Sequence, residues 1–289
     1  MRKTLLFLFM LLFPVLTFAQ TGLLVDHNDE KVNTEVRVGT NGQNYSDGRS
    51  SQVGFVDVYQ RLNSKFIGEA TVQGGQYFGS DFSGAGGSII YTGIANSYIQ
   101  VGGIRNTHTD RTAVFGAFIE AGTLLYGSKF DCRTNPKGAM VPYRTGFIKA
   151  IELDYNQTWQ GFGIAPVNTD VHTFNPRLIF YLPKGVDFML RGGVVDIIQN
   201  GLHNPTPLGG ARIRVPVTRR LGLTASAGFD SEGITNVAQL LSFSTRNYGA
   251  GASYWLTRTT SIEGEGFTSL YTANHLSGNT YRLVLRKRF

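Results

Sequence analysis

Charged and apolar residues alternate along this chain with a period of two, in segment after segment. At the C-terminal end Tyr281, Leu283, Leu285, Lys287 and Phe289 occupy one set of alternate positions; Arg282, Val284, Arg286 and Arg288 occupy the other. An extended strand places alternate residues on opposite faces, so the two faces meet different environments. The same opposition recurs upstream. Val186, Phe188 and Leu190 oppose Asp187 and Arg191, and Ala211, Ile213 and Val215 oppose Arg212 and Arg214. Phe174, Leu178 and Phe180 oppose Asn175 and Arg177, and Ile151, Leu153 and Tyr155 oppose Glu152 and Asp154. An arginine or lysine facing lipid at mid-bilayer costs about 2–4 kcal/mol. A handful of such placements would exceed the roughly 5–15 kcal/mol by which a folded protein is stable. The charged face therefore turns to a lumen and the apolar face to lipid. The expected fold is all-β, a transmembrane antiparallel β-barrel.

Alternation and turn signals place about fourteen strands. They fall near 32–40, 52–62, 65–78, 86–94, 97–105, 112–126, 146–158, 170–182, 186–197, 208–217, 221–230, 244–256, 261–271 and 280–289. Tight connections such as Asn63-Ser64, Ala95-Asn96 and Pro183-Lys184-Gly185 alternate with longer polar stretches near 41–51, 79–85, 106–111, 198–207, 231–243 and 272–279. Short periplasmic turns, longer outside loops and an even strand number are habits of bacterial barrels. Twelve or sixteen strands are the alternatives, because both termini must stay on one side. Residues 127–145, with Lys129, Cys132, Arg133, Lys137 and Arg144, stand where a short periplasmic turn is expected. A misplaced strand boundary is the simplest reading; a long basic turn and an inward-folded segment are the others.

The N-terminus points to export. Met1-Arg2-Lys3 precedes an apolar stretch from Leu5 to Leu16, and Thr17-Phe18-Ala19 forms a cleavage site before Gln20. This pattern predicts a signal peptide over 1–19 and a barrel over 20–289. No cysteine follows the site, and the single Cys132 cannot form an internal disulfide. No later run approaches the ~18 apolar residues of a membrane-spanning helix. A soluble β-sandwich also alternates, but its polar face would be rich in lysine and glutamate. Here charged residues are only 16%, against about 25% in an ordinary soluble domain, and the polar face is rich in Gly, Thr, Ser, Asn and Arg. The net charge of +7 loses two units with Arg2 and Lys3. The remaining cations are scattered without a basic stripe, which argues against nucleic acid. The bilayer is the expected partner and a Gram-negative outer membrane the expected location. Tyr59, Tyr126, Tyr181, Tyr254, Trp255 and Tyr281 lie near strand ends, as interface girdles do.

Parity assigns the lumen. Its acidic candidates are Glu35, Asp57, Glu69, Glu120, Glu152, Asp154, Asp187, Asp230, Glu263 and Glu265. Its basic candidates are Arg37, Arg61, Lys65, Arg177, Arg191, Arg212, Arg214, Arg282, Arg286 and Arg288. Strand adjacency sets Glu263 and Glu265 beside Arg282 and Arg286, Glu152 and Asp154 beside Arg177, and Glu35 beside the last strand. Arg191, Arg212 and Arg214 form a like-charged patch that would favour anions, unless Asp187 neutralises it. About 8 strands enclose a packed interior and about 16–18 a water channel, so fourteen strands fit a narrow polar passage. The expected function is a passive pore for small polar solutes or ions. A non-conducting structural or surface barrel that binds a partner through its loops is the second reading, and a lipid- or peptide-acting hydrolase the third. Against the third, His27, His108, His172, His203 and His275 show no nucleophile at a defined spacing, although His108-Thr109-Asp110 offers a base and a carboxylate. No cluster has metal-ligand spacing, and Gly161-Phe162-Gly163 and Gly74-Gly75 precede no helix. No cofactor or metal is expected.

Two resemblances add to this reading. The terminal Phe289, on a strand that also carries Tyr281, resembles the signal read by the outer-membrane barrel assembly machinery. Residues 248–289 run through Tyr-Gly-Ala-Gly-Ala-Ser-Tyr-Trp-Leu-Thr, a basic turn, Ile262-Glu263-Gly264-Glu265-Gly266, a loop after Tyr271 and Arg282-Leu-Val-Leu-Arg-Lys-Arg-Phe289. This stretch resembles the closing strands of YaiO-like outer-membrane β-barrel proteins. The resemblance implies an outer-membrane barrel of undefined molecular activity and carries no functional residues with it.

Overall fold

Fourteen strands close on themselves in this computed structural model, which describes residues 33–289 except 78, 95, 108–113, 128–147, 149, 163–168, 237–238 and 272–276. In chain order they are β1 (Thr34–Tyr45), β2 (Ser50–Arg61), β3 (Phe66–Tyr77), β4 (Ser80–Tyr91), β5 (Ser97–Asn106), β6 (Phe115–Gly127) and β7 (Ala150–Phe162). Then follow β8 (Thr169–Tyr181), β9 (Asp187–Gln199), β10 (Leu202–Pro216), β11 (Leu221–Asn236), β12 (Gln239–Trp255), β13 (Thr260–Tyr271) and β14 (Ser277–Arg288). Each strand pairs antiparallel with its neighbours in sequence, and β1 closes the barrel on β14. Closure removes the exposed edges that an open sheet would carry. The sequence-predicted signal peptide, residues 127–145 beyond Gly127, and His27, His108 and His275 lie outside the described residues.

Alternation sorts the side chains as the period demands. On β14, Tyr281, Leu283 and Leu285 are exposed on the outside, while Arg282, Val284 and Arg286 are buried inside. Exposed Val72, Val101, Leu153, Phe174, Leu190 and Ile213 continue the apolar outer surface around the barrel. Lys287 breaks the pattern on the outer face, but at the end of its strand. Its ammonium donates to Thr259 Oγ1 at 3.1 Å and Thr260 Oγ1 at 3.2 Å, and lies 5.7 Å from the Phe289 ring centroid. A lysine at the edge of the belt can reach polar partners while its stem stays against apolar surface.

Two expectations need correction. Most of the polar stretches read as outside loops are strand. β9 and β10 meet across the two residues Asn200 and Gly201, both at positive φ (50° and 79°), the geometry of a tight hairpin turn for which Asn-Gly is well suited. Above the apolar belt both strand faces meet water, so alternation fades although the ladder continues. The second correction concerns aromatics. Tyr126, Tyr254 and Tyr281 face outward and are exposed, but Tyr59 and Tyr181 are buried inside, and Trp255 shares its inward register with Ser261. Tyr59 has the parity of Asp57, and Tyr181 that of Arg177, so the rule that placed the charges also places these rings.

Glycines opposite aromatics recur across the ladders. Gly42 faces Tyr281, Gly161 faces Phe115, Gly209 faces Phe229 and Gly249 faces Phe267. In each pair the ring occupies the space a Cβ would need. The ring covers bare backbone, a device that fixes register in curved sheets.

Candidate functional site in the barrel lumen

The first and last strands meet at a buried carboxylate. Glu35 on β1 is fully buried among three arginines: it accepts from Arg37 Nε at 2.6 Å and Arg288 Nε at 3.0 Å, and Arg286 Nε lies at ion-pair distance, 3.4 Å. Arg286 also reaches Glu263 on β13 at 2.9 Å. Arg37 lies over the Tyr59 ring, 4.5 Å from its centroid, and Arg288 over Trp255 at 5.1 Å. These contacts tie β13, β14, β1 and β2 together, and they are charge-assisted, the stronger kind of hydrogen bond.

A second cluster lies across β5–β8. Glu120 accepts from Tyr98 Oη at 2.5 Å and Asn156 Nδ2 at 3.3 Å, and forms an ion pair with Arg177 at 3.1 Å. Arg177 is 3.8 Å from Asp154. Glu152 takes a different partner from the one expected, accepting from Tyr181 Oη at 2.5 Å. Between the clusters, Asp57 accepts from Thr71 Oγ1 at 2.6 Å, and Glu69 from Ser88 Oγ at 2.5 Å and Gln100 Nε2 at 3.0 Å. Buried apolar groups fill the rest of this wall: Tyr59, Ile67, Ile90 and Tyr98 form one cluster and Ile179, Tyr181 and Met189 another. From Ser51 to Tyr59 on β2, and from Glu152 to Thr158 on β7, every inward side chain is buried.

The wall made by β11–β13 is different. Inward positions Thr224, Ser226, Gly228, Asn247, Gly249, Gly251, Ser253, Glu263 and Glu265 are all half-buried. Small side chains leave space on this side, where large ones fill the wall of β2–β8. On the flank of this wall, Arg214 pairs with Asp187 at 2.5 Å. Glu265 faces Arg282 across the β13–β14 ladder, and the Arg282 guanidinium lies 5.4 Å from the Phe55 ring centroid. Arg191 stands opposite Gly210, and Arg212 opposite Met189. Lys65 is not in the lumen: it sits in the exposed turn between β2 and β3, its backbone N–H donating to Asn63 Oδ1 at 2.8 Å. The side chain of Asp230 lies outside the described residues. The sequence reading missed the apolar lumen residues Val53, Ile67, Ile90, Val195, Ile197 and Leu208, although their parity matches that of the charges.

On the outer face, His172 stands opposite both Trp159 and Asp196. Asp196 instead contacts His203, with Oδ2 and Nδ1 2.7 Å apart, and its Oδ1 accepts from the Asn204 backbone at 3.0 Å. The pair sits beside the Asn200–Gly201 turn. Among the described residues no group of three His, Cys, Asp or Glu is placed to hold a metal ion.

No known family profile and no curated protein matches this sequence. Solved structures do. A bacterial polysaccharide outer membrane secretin matches with a TM-score of 0.54 at 9% identity, covering 89% of this chain and 98% of that one. Omp33 of Acinetobacter baumannii matches with a TM-score of 0.49 at 11% identity (89% and 99% covered), and an anion-selective porin from Comamonas acidovorans with 0.46 at 8% (89% and 99%). At such identities the likeness concerns the fold. The closed antiparallel cylinder, apolar outside and charged within, is an outer-membrane β-barrel, and the lipid bilayer is its environment.

Proposed function

We propose that this barrel is a narrow diffusion channel for small polar solutes or ions, with its passage off-centre, along β10–β13. The observation that carries the reading is the contrast between the walls. Inward side chains from Ser51 to Tyr59 on β2 and from Glu152 to Thr158 on β7 are buried, whereas Thr224, Ser226, Asn247, Ser253, Glu263 and Glu265 on β11–β13 remain reachable by water, although Thr245 and Ser261 are buried. A charged, small-residue wall beside a filled one leaves a polar gap on one side, and polar linings with fixed charges control passage in pores generally. In this reading residues 1–19 are removed on export and residues 20–289 form the barrel. Phe289 and Tyr281 serve assembly by the barrel machinery, and the kinship of residues 248–289 is with YaiO-like proteins.

Planar-bilayer recording of the refolded chain tests the proposal. Discrete conductance is expected. Ser226→Phe, which fills the small-residue wall, should reduce it by more than about twofold, and Ala225→Phe on the outer face of the same strand should leave it unchanged. A stably folded barrel without conductance overturns the channel. The second reading is then a structural barrel that holds a partner through its connections. What favours it is the engagement of both oxygens of Glu35 and of Glu120 by partners inside the wall. Pull-down with and without residues 127–145 tests it.

A further inference from the structure

One inward register row crosses five strands as Arg177, Arg191, Gly210, Gly228 and Asn247. The two glycines give Arg191 a floor without side chains. A Cβ on Gly210 would stand 3.2 Å from Arg191 Nε, and one on Gly228 would stand 3.5 Å from a terminal guanidinium nitrogen. The guanidinium is therefore laid along the wall across β10 and β11. The carbonyls beneath it belong to the ladder, so they leave its outer donors to the lumen. Gly193 continues the bare surface along β9, where the β8–β9 ladder skips Asn175 and Pro176. Pro176 has no N–H to give, which accounts for the gap.

The neighbouring charges do not consume this arginine. Arg177 serves Glu120 and Asp154, and Asp187 serves Arg214. Among the described residues no carboxylate lies within ion-pair distance of Arg191. Arg212 stands on the adjacent inward position, opposite Met189. The wider pattern agrees. Inward register positions on β9–β14 carry Arg191, Arg212, Arg214, Arg282, Arg286 and Arg288 against Asp187, Asp230, Glu232, Glu263 and Glu265. On β1–β8 the balance is reversed, but those carboxylates are buried behind tyrosine, serine, threonine, glutamine and arginine donors. Arg282 and Arg286 are buried and Arg286 and Arg288 lie on Glu35, so the half-buried arginines that water reaches on this side are Arg191, Arg212 and Arg214.

We infer that Arg191, flanked by Arg212 and floored by Gly210 and Gly228, is a binding position for a small oxyanion, a carboxylate or phosphate carried by a permeating solute. A planar guanidinium held flat presents two parallel donors to such a group, a geometry lysine cannot reproduce. The inference rests on the channel reading, which supplies the route by which a solute arrives.

Two measurements separate the site from the channel. Equilibrium dialysis of the detergent-refolded full chain against inorganic phosphate, and separately against acetate, reads the site without conductance; heat-modifiable gel mobility confirms folding of every variant. Saturable binding is expected. Arg191→Gln should weaken it by about tenfold, the scale of one bidentate charge-assisted contact; Arg191→Lys should restore part of it. Whether phosphate or acetate binds more tightly identifies the oxyanion. In bilayers under a KCl gradient, Arg191→Gln should move the reversal potential toward cation preference. Binding that depends on Arg191 in a barrel that does not conduct would sustain the site while removing the channel. Absence of binding by the wild-type chain, or equal binding and equal reversal potential in wild type and Arg191→Gln, overturns the inference.

Discussion

The wall of β2–β8 and the wall of β11–β13 obey the same alternation and do different things with it. In the first, inward positions carry Tyr59, Glu69, Gln100, Glu120, Glu152 and Ile179, all buried. In the second they carry Thr224, Ser226, Gly249, Gly251 and Ser253, all half-buried. Period alone makes the two walls equivalent; side-chain volume separates them. A small barrel fills its interior with side chains. This one fills it from one side, so its polar groups divide into a bonded set and a wetted set.

The difference predicts unequal costs for similar substitutions. Glu120→Gln removes the charge that pairs with Arg177 and turns one of the two oxygens that accept from Tyr98 and Asn156 into a donor. It should lower stability by about 3–5 kcal/mol, as loss of one partner of a buried ion pair does, measured by urea unfolding in lipid. Glu265→Gln on the wetted wall should cost less than about 1 kcal/mol, because a solvated charge gives up little. Equal losses would show that the walls are not distinct.

Next in size is the test of facing. Ala225→Arg, toward lipid, should cost about 2–4 kcal/mol if it lies near the bilayer midplane. Ser226→Arg, one residue on and facing the wetted wall, should cost little by the same measurement. Gln100→Ala takes a donor from buried Glu69 and should cost about 1–3 kcal/mol, read from the shift of the unfolding midpoint. The last test concerns an aromatic cover. Phe267→Ala uncovers Gly249 and should cost about 0.5–1.5 kcal/mol beyond its area term, resolved by comparison with Phe267→Leu.

The barrel and its strand number were legible because lipid penalises a misplaced charge so heavily that parity is enforced wherever hydrocarbon lies outside. Arg286 and Glu263 could be paired from adjacency alone. Beyond the hydrocarbon that pressure stops. The hairpin around Asn200 and Gly201 therefore looked like a loop, although the dipeptide itself carries a turn signal. Inside, parity gives direction but not neighbours. By sequence Tyr59 and Tyr181 read as girdle residues, because tyrosine suits both an interface and a buried carboxylate. The preference of Glu152 for Tyr181 over Arg177 depends on side-chain reach, which spacing does not encode. The cradle of Arg191 needs three strands in register, and no single segment contains it.

Glu35 and Arg288 are joined across 253 residues of chain. Nearly the whole polypeptide must be in place before that carboxylate is satisfied, and contacts of such long range form slowly. Until then β1 and β14 are bare borders, open to any stray strand. A chain stalled before its final arginines arrive would keep a thirsty anion at its rim and an unzipped side, a ready mark of unfinished work.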